Sequence, residues 1–86
     1  MSKIRNPEQS EWLTISSNRI PVYAAIRNYV TDRIEFVYGV IVSLPYLVDY
    51  VVFESEGNKT EVSKDNIFID DNQKFRDLFN SSKYFR

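Results

Sequence analysis

The side chains that most often carry catalysis are missing from this chain. It contains no Cys and no His, which rules out disulfides, thiolate nucleophiles, imidazole bases and zinc sites built on those ligands. The hydroxyl pairs Ser16-Ser17 and Ser81-Ser82 have no imidazole to activate them. Glu54, Glu56 and Glu61 gather around one predicted hairpin, where carboxylates keep a strand edge soluble more readily than they share a proton. Asp65, Asp70 and Asp71 lack the alternating Asp/Asn ligands, central Gly and closing Glu of a calcium loop, and read as turn and helix-capping residues. The sequence therefore predicts a protein that is not an enzyme and holds no metal or cofactor.

What remains is the chemistry of binding. Six Phe, six Tyr and one Trp make up 15% of 86 residues, more rings than so small a core needs, so some belong at the surface. There a Tyr offers an apolar face and a polar tip to a partner. Arg19, Arg27 and Arg33, interleaved with Tyr23 and Tyr29, supply a second set of groups able to stack on bases and touch phosphates. Against that use stands a net charge of −1, since a duplex binder needs clustered Lys and Arg to displace counterions. Hydrophobic residues at 43% and charged residues at 27% are the proportions of a folded domain. The length is that of a single domain.

The elements that would position these residues follow from period and punctuation. Residues 1–10 are expected to be a flexible polar lead-in without the apolar stretch of a signal peptide. One small domain then spans 11–86. Glu11 to Ser16 reads as a short strand ending in a turn at Ser17-Asn18-Arg19. Ile20 to Asp32 fits two patterns. As a strand it turns Val22, Ala24 and Ile26 inward; as a helix it places Val22, Ala25, Ile26, Tyr29 and Val30 on one face. The strand is preferred, with an α+β fold carrying a helix over 20–32 as the alternative. Arg33 to Ser43 and Leu47 to Glu54 are strong strands joined at Leu44-Pro45-Tyr46, because Pro cannot donate to a ladder. Phe36 to Phe53 carries only Asp49 as a charge, yet Ser43 and Pro45 near its middle and the β-branched halves favour two strands over a membrane span. Ser55-Glu56-Gly57-Asn58 forms a hairpin turn, with Gly57 taking a positive φ cheaply. Lys59 to Ser63 and Ile67 to Ile69 are further strands around a turn at Lys64-Asp65-Asn66. Asp70-Asp71-Asn72 offers caps for a terminal helix over 71–84, with Phe75, Leu78, Phe79 and Phe85 at helical spacing.

Taken together this is a mainly β chain: five short strands in a small, strongly bent SH3-like barrel closed by a C-terminal helix. Over residues 36–69 the sequence resembles a Tudor domain. The resemblance lies in Phe36-Val37-Tyr38-Gly39-Val40-Ile41-Val42-Ser43, Asp49-Tyr50-Val51-Val52-Phe53-Glu54, the hairpin Glu56-Gly57-Asn58-Lys59-Thr60-Glu61-Val62 and the turn Ser63-Lys64-Asp65-Asn66-Ile67. In that family a methylated Arg or Lys often sits in a cage of aromatic rings, whose faces attract a weakly hydrated cation. The resemblance places Tyr38 and Phe53 at two walls and Asn58 at the polar position that hydrogen-bonds the ligand. Arg27 stands where the family's first-strand Trp would fall, and Glu56 lies near the turn that would carry another ring. Tyr29 or Tyr46 would have to supply what is missing.

The function expected from the sequence is a non-enzymatic interaction module that docks a peptide or protein surface through an aromatic-rich sheet face. It would act as a small inhibitor or accessory subunit, of the kind phages encode. The alternatives are an SH3-like nucleic-acid-binding module and a methyl-Arg/Lys reader with a degenerate cage. The expected location is the cytoplasm, or the nucleus if the source is eukaryotic, with no membrane partner.

Overall fold

Eleven residues of extended chain, Arg33–Ser43, organise the molecule. The structure is a computed structural model and describes residues 3–84, with side chains through Ser82. In chain order its elements are β1 (Ile4–Arg5), α1 (Trp12–Ser17), β2 (Val22–Asn28), β3 (Arg33–Ser43), β4 (Tyr50–Ser55), β5 (Asn58–Ser63), β6 (Ile67–Asp70) and α2 (Gln73–Tyr84). Single 3₁₀ turns precede α1 at Gln9–Glu11 and β6 at Lys64–Asn66. The strands form one antiparallel sheet in the order β1-β6-β2-β3-β4-β5. The chain is thus mainly β with a C-terminal helix. Its sheet does not close into a barrel, and β1 and β5 lie at its two edges.

β3 serves two halves of that sheet. Its first part pairs with β2 from Asn28↔Arg33 to Val22↔Gly39, and its last part pairs with β4 from Val40↔Glu54 to Ser43↔Val52. The change of partner occurs at Gly39, where only a hydrogen fits. A Cβ there would collide with the Glu54 carbonyl oxygen and stand 2.7 Å from Cζ of Phe53. β4 and β5 are joined by a two-residue turn with Glu56 at φ 51° and Gly57 at φ 82°, the pair of positive φ values that a type I′ hairpin requires. Ser63 accepts a hydrogen bond at Oγ from the Asp65 amide at 3.3 Å and so turns the chain into β6.

Alternation then sorts the side chains. Val22 and Ala24 on β2, Ile41 on β3, Val51 and Phe53 on β4, Val62 on β5, and Ile67 and Ile69 on β6 point to one side. With Trp12, Ile15, Ile20 and Phe75 they make the core. Removing a Phe such as Phe53 from water contributes about 2–3 kcal/mol. The strand expected over Ile20–Asp32 is present as β2, with Val22 and Ala24 inward and Ile26 packed against the core. Its partners are β3 and β6.

The strand expected over Glu11–Ser16 is instead the 3₁₀ turn followed by α1. Trp12 and Ile15 are buried while Leu13 between them is 71% exposed, a spacing of three that suits a helix face and not a pleat. The Glu8 amide donates to Glu11 Oε1 at 2.7 Å, satisfying a backbone group at the start of the turn that a strand reading leaves unexplained. Part of the expected lead-in also belongs to the sheet. Ile4 and Arg5 pair with Asp70 and Ile69, and Asn6 Nδ2 donates to the Asp65 and Ile67 carbonyls at 3.0 and 2.8 Å.

α2 begins with the Phe75 amide donating to Asn72 Oδ1 at 2.8 Å, so of the three candidate caps Asn72 fills the role. Phe75 is buried and stacks 5.8 Å from Phe79, whereas Leu78 is 42% exposed. Phe85, expected to continue this stripe, lies outside the described residues.

Candidate functional site

The outward phase of β2 and β3 is apolar where a solvated sheet would be polar. Since Val22, Ala24 and Ile26 face the core, Tyr23, Ala25 and Arg27 must face away. Their partners on β3 are Tyr38, Phe36 and Ile34, and Tyr23 also stands opposite Phe68 of β6. The rings meet across the strands. Tyr23 and Tyr38 are 5.1 Å apart at 55°, and Phe36 approaches Phe68 edge-on at 5.6 Å and 74°, geometries that aromatic quadrupoles favour. Even so, Ile34 is 66% exposed, Phe36 62% and Tyr38 55%.

Where this face meets α2 it deepens into a cleft of 360 Å³ bordered by Pro21, Tyr23, Tyr38, Lys74 and Leu78. Asp70 also lines it, and its buried Oδ1 has no hydrogen-bond partner among the described residues. The surface therefore combines a flat aromatic field with a cleft carrying one cation and one carboxylate.

The residues singled out in the sequence are dispersed. Tyr38 belongs to the outer face. Phe53 is 1% exposed and fills the core beneath Gly39. Because Tyr38 and Gly39 are consecutive in a strand, Tyr38 points to the opposite side of the sheet, and the two expected cage walls have the backbone between them. Tyr29 is 86% exposed in the β2–β3 loop and Tyr46 87% exposed in the β3–β4 loop. No ring contact joins either to Tyr38 among the described residues. Asn58 lies at the start of β5, exposed. Arg27 stands at the far end of β2 with a guanidinium nitrogen 3.5 Å from Asp32 Oδ1. The three arginines form no stripe: Arg19 precedes β2, while Arg27 and Arg33 lie at its opposite end.

Sequence reasoning placed Phe36 and Ile34 in a strand but did not assign them to an exposed face, nor Phe68. The available signal was the phase of β3. Ile34, Phe36 and Tyr38 alternate with Glu35, Val37 and Gly39, and only the second set carries the glycine that a core ring displaces.

Opposite this face, one charged cluster fastens the termini. Arg5 donates from Nη1 and Nη2 to both Glu11 oxygens at 2.8 and 3.0 Å, and from Nε to Asp71 Oδ2 at 3.1 Å; Arg76 Nε donates to Asp71 Oδ1 at 2.9 Å. The Arg5 hydrogen bonds outweigh burial and hold the Glu11 carboxyl below its usual range. Asp71 is lowered too, chiefly by Arg76 and then by Arg5. Arg5 is raised above its ordinary value, first by Glu11. Every member has a partner, so this cluster positions β1, α1 and α2 and leaves no reactive group free. Among the described residues no group of acidic side chains is arranged to hold a metal ion, and no helix is long and apolar enough to cross a membrane.

Compared with known proteins, the chain matches no family model, no curated protein and no solved structure.

Proposed function

We propose that this chain is a non-enzymatic protein-interaction module that docks a partner's apolar side chains on the outer face of the β2–β3–β6 sheet. The observation that carries the reading is the exposure of Ile34, Phe36 and Tyr38 in one outward row of β3, backed by Tyr23 and Phe68. Exposed apolar surface that is contiguous, and not scattered, marks interaction sites. Tyr and Phe supply much contact area at little cost in side-chain entropy. A protein partner is favoured over nucleic acid because the cations at this face among the described residues are few: Arg27, already paired with Asp32, and Lys74 at the cleft that Asp70 also lines. A phosphate backbone would find too little positive charge there.

The fold proposed for the segment β2 to β6 is of the SH3-like kind. Support comes from the order β6-β2-β3-β4-β5, from a long strand shared by two sheet halves with a register shift between Ile41 and Ser43, and from the single 3₁₀ turn before the last strand.

The test is capture from a lysate of the source organism by wild-type chain and by the double variant Phe36→Ser/Tyr38→Ser, with and without nuclease, after circular dichroism shows that both fold. The reading expects a protein that wild type retains despite nuclease and the variant loses. Capture that nuclease abolishes, or that the folded variant keeps, overturns it.

A further inference from the structure

β5 presents an open sheet edge. Among the described residues it pairs with β4 on one side only. Proteins usually close such edges with proline, a bulge, a very short strand or charged side chains. β5 uses none of the first three: it has six residues without proline, in unbroken register with β4 from Ser55↔Asn58 to Tyr50↔Ser63. Its charges, Lys59 and Glu61, are of opposite sign, so they keep the edge soluble against other strands and complement each other in an antiparallel copy. The only irregularity in this half of the sheet falls between β3 and β4.

The turn dictates which backbone groups are free. In a two-residue hairpin the flanking residues, here Ser55 and Asn58, form a hydrogen-bonded pair, and such pairs alternate along an antiparallel ladder. Asn58, Thr60 and Val62 therefore direct their N–H and C=O groups to β4, whereas Lys59 and Glu61 direct theirs outward. The pleat separates the same two sets. Val62 is buried on the core side, and Lys59 and Glu61 project together from the other.

We propose that β5 pairs antiparallel with β5 of a second copy of this chain, with Thr60 facing Thr60 at the two-fold axis. Each Lys59 then stands opposite Glu61 of the other copy. Four backbone hydrogen bonds close the ladder, and two oppositely charged pairs flank it. Charge selects this register among the symmetric ones. A shift of one hydrogen-bonding step in one direction sets Lys59 against Lys59, and in the other it sets Glu61 against Glu61; like charges directly opposite disfavour pairing. The Thr60 pair at the axis is a close, non-hydrogen-bonded pair in which threonines fit well. The pairing is independent of the outer aromatic face and leaves it open in each copy.

The test is sedimentation of the 86-residue chain at low salt across a wide concentration range. Wild type is expected to sediment faster at roughly 1 mM than at roughly 10 μM, because a short strand pair falls below the ~1,200 Å² of stable complexes. Glu61→Lys and Lys59→Glu, each checked for folding by circular dichroism, are expected to weaken self-association at least tenfold. An equimolar mixture of the two variants should associate again, as should the double variant Lys59→Glu/Glu61→Lys. Three outcomes overturn the proposal: a wild type that stays monomeric throughout, single variants that associate as well as wild type, or a mixture that stays monomeric. Association lost on Phe36→Ser and kept on Glu61→Lys also overturns it, by moving the interface to the aromatic face.

Discussion

Phe53 and Phe36 are the same side chain on opposite surfaces of one sheet. Phe53 is sealed beneath Gly39 at 1% exposure, and Phe36 stands 62% exposed with the edge of Phe68 against it. The inner surface is closed by Trp12 and Ile15 of α1 and Phe75 of α2, whereas on the outer surface α2 borders only the cleft beside Tyr23 and Tyr38, and Ile34 and Phe36 stay more than half exposed. A ring on the inner surface therefore contributes to folding, and one on the outer surface is available for something else. This contrast separates the two roles without reference to any relative.

The comparison breaks most visibly at the inner ring. Phe53→Ala is expected to cost about 3–5 kcal/mol, since neighbours in both sheet halves cannot collapse into the space; urea unfolding followed by tryptophan fluorescence measures it. Phe36→Ala should cost less than about 1 kcal/mol in the same experiment, because the ring is 62% exposed and its loss opens no cavity in the core. Comparable losses at the two positions would mean that the outer face is structural, and the proposed docking surface would fall with it.

A smaller effect is expected from the charged cluster, which draws the helices to the inner side. Glu11 and Asp71 have folded-state pKa values below their ordinary ones, near 4.5 and 3.8. Their contribution is fully present above those ordinary values and is lost as pH falls through the lowered folded-state values. The melting temperature should hold above about pH 5 and fall below about pH 4. Arg5→Met should lower the plateau by about 1.5–3 kcal/mol, the usual size for hydrogen bonds to charged groups, and should flatten the acid limb. An acid limb of unchanged steepness would show that other carboxylates dominate it.

Much of the strand content was legible because local chemistry announces it. Gly57 with its neighbours specified the β4–β5 hairpin, Lys64-Asp65-Asn66 marked the turn into β6, and Asn72 capped α2 where a cap was expected. α1 was not legible, as six residues give too little period to separate Trp12 and Ile15 on a helix face from an alternating strand. The Arg5 cluster joins positions 66 residues apart, and no sequence pattern announces that distance. The aromatic content of the site could be read from composition, but its location could not. An outward Phe36 and an inward Phe53 look alike in a string of letters until the register places one against Ala25 and the other beneath Gly39. For the same reason the family resemblance put Tyr38 and Phe53 together, where the pleat sets them apart.

The sharing of β3 between two half-sheets has a consequence for how the molecule opens. Two small sheets joined by a loop could fray one at a time. Here a single covalent strand is shared by both, so β2 cannot be withdrawn from one side without loosening the ladder that holds β4 on the other. Amide exchange should then report one cooperative unit extending from β6 to β5, with protection highest on either side of Gly39. That coupling provides a rigid platform on which an exposed row of rings keeps its spacing.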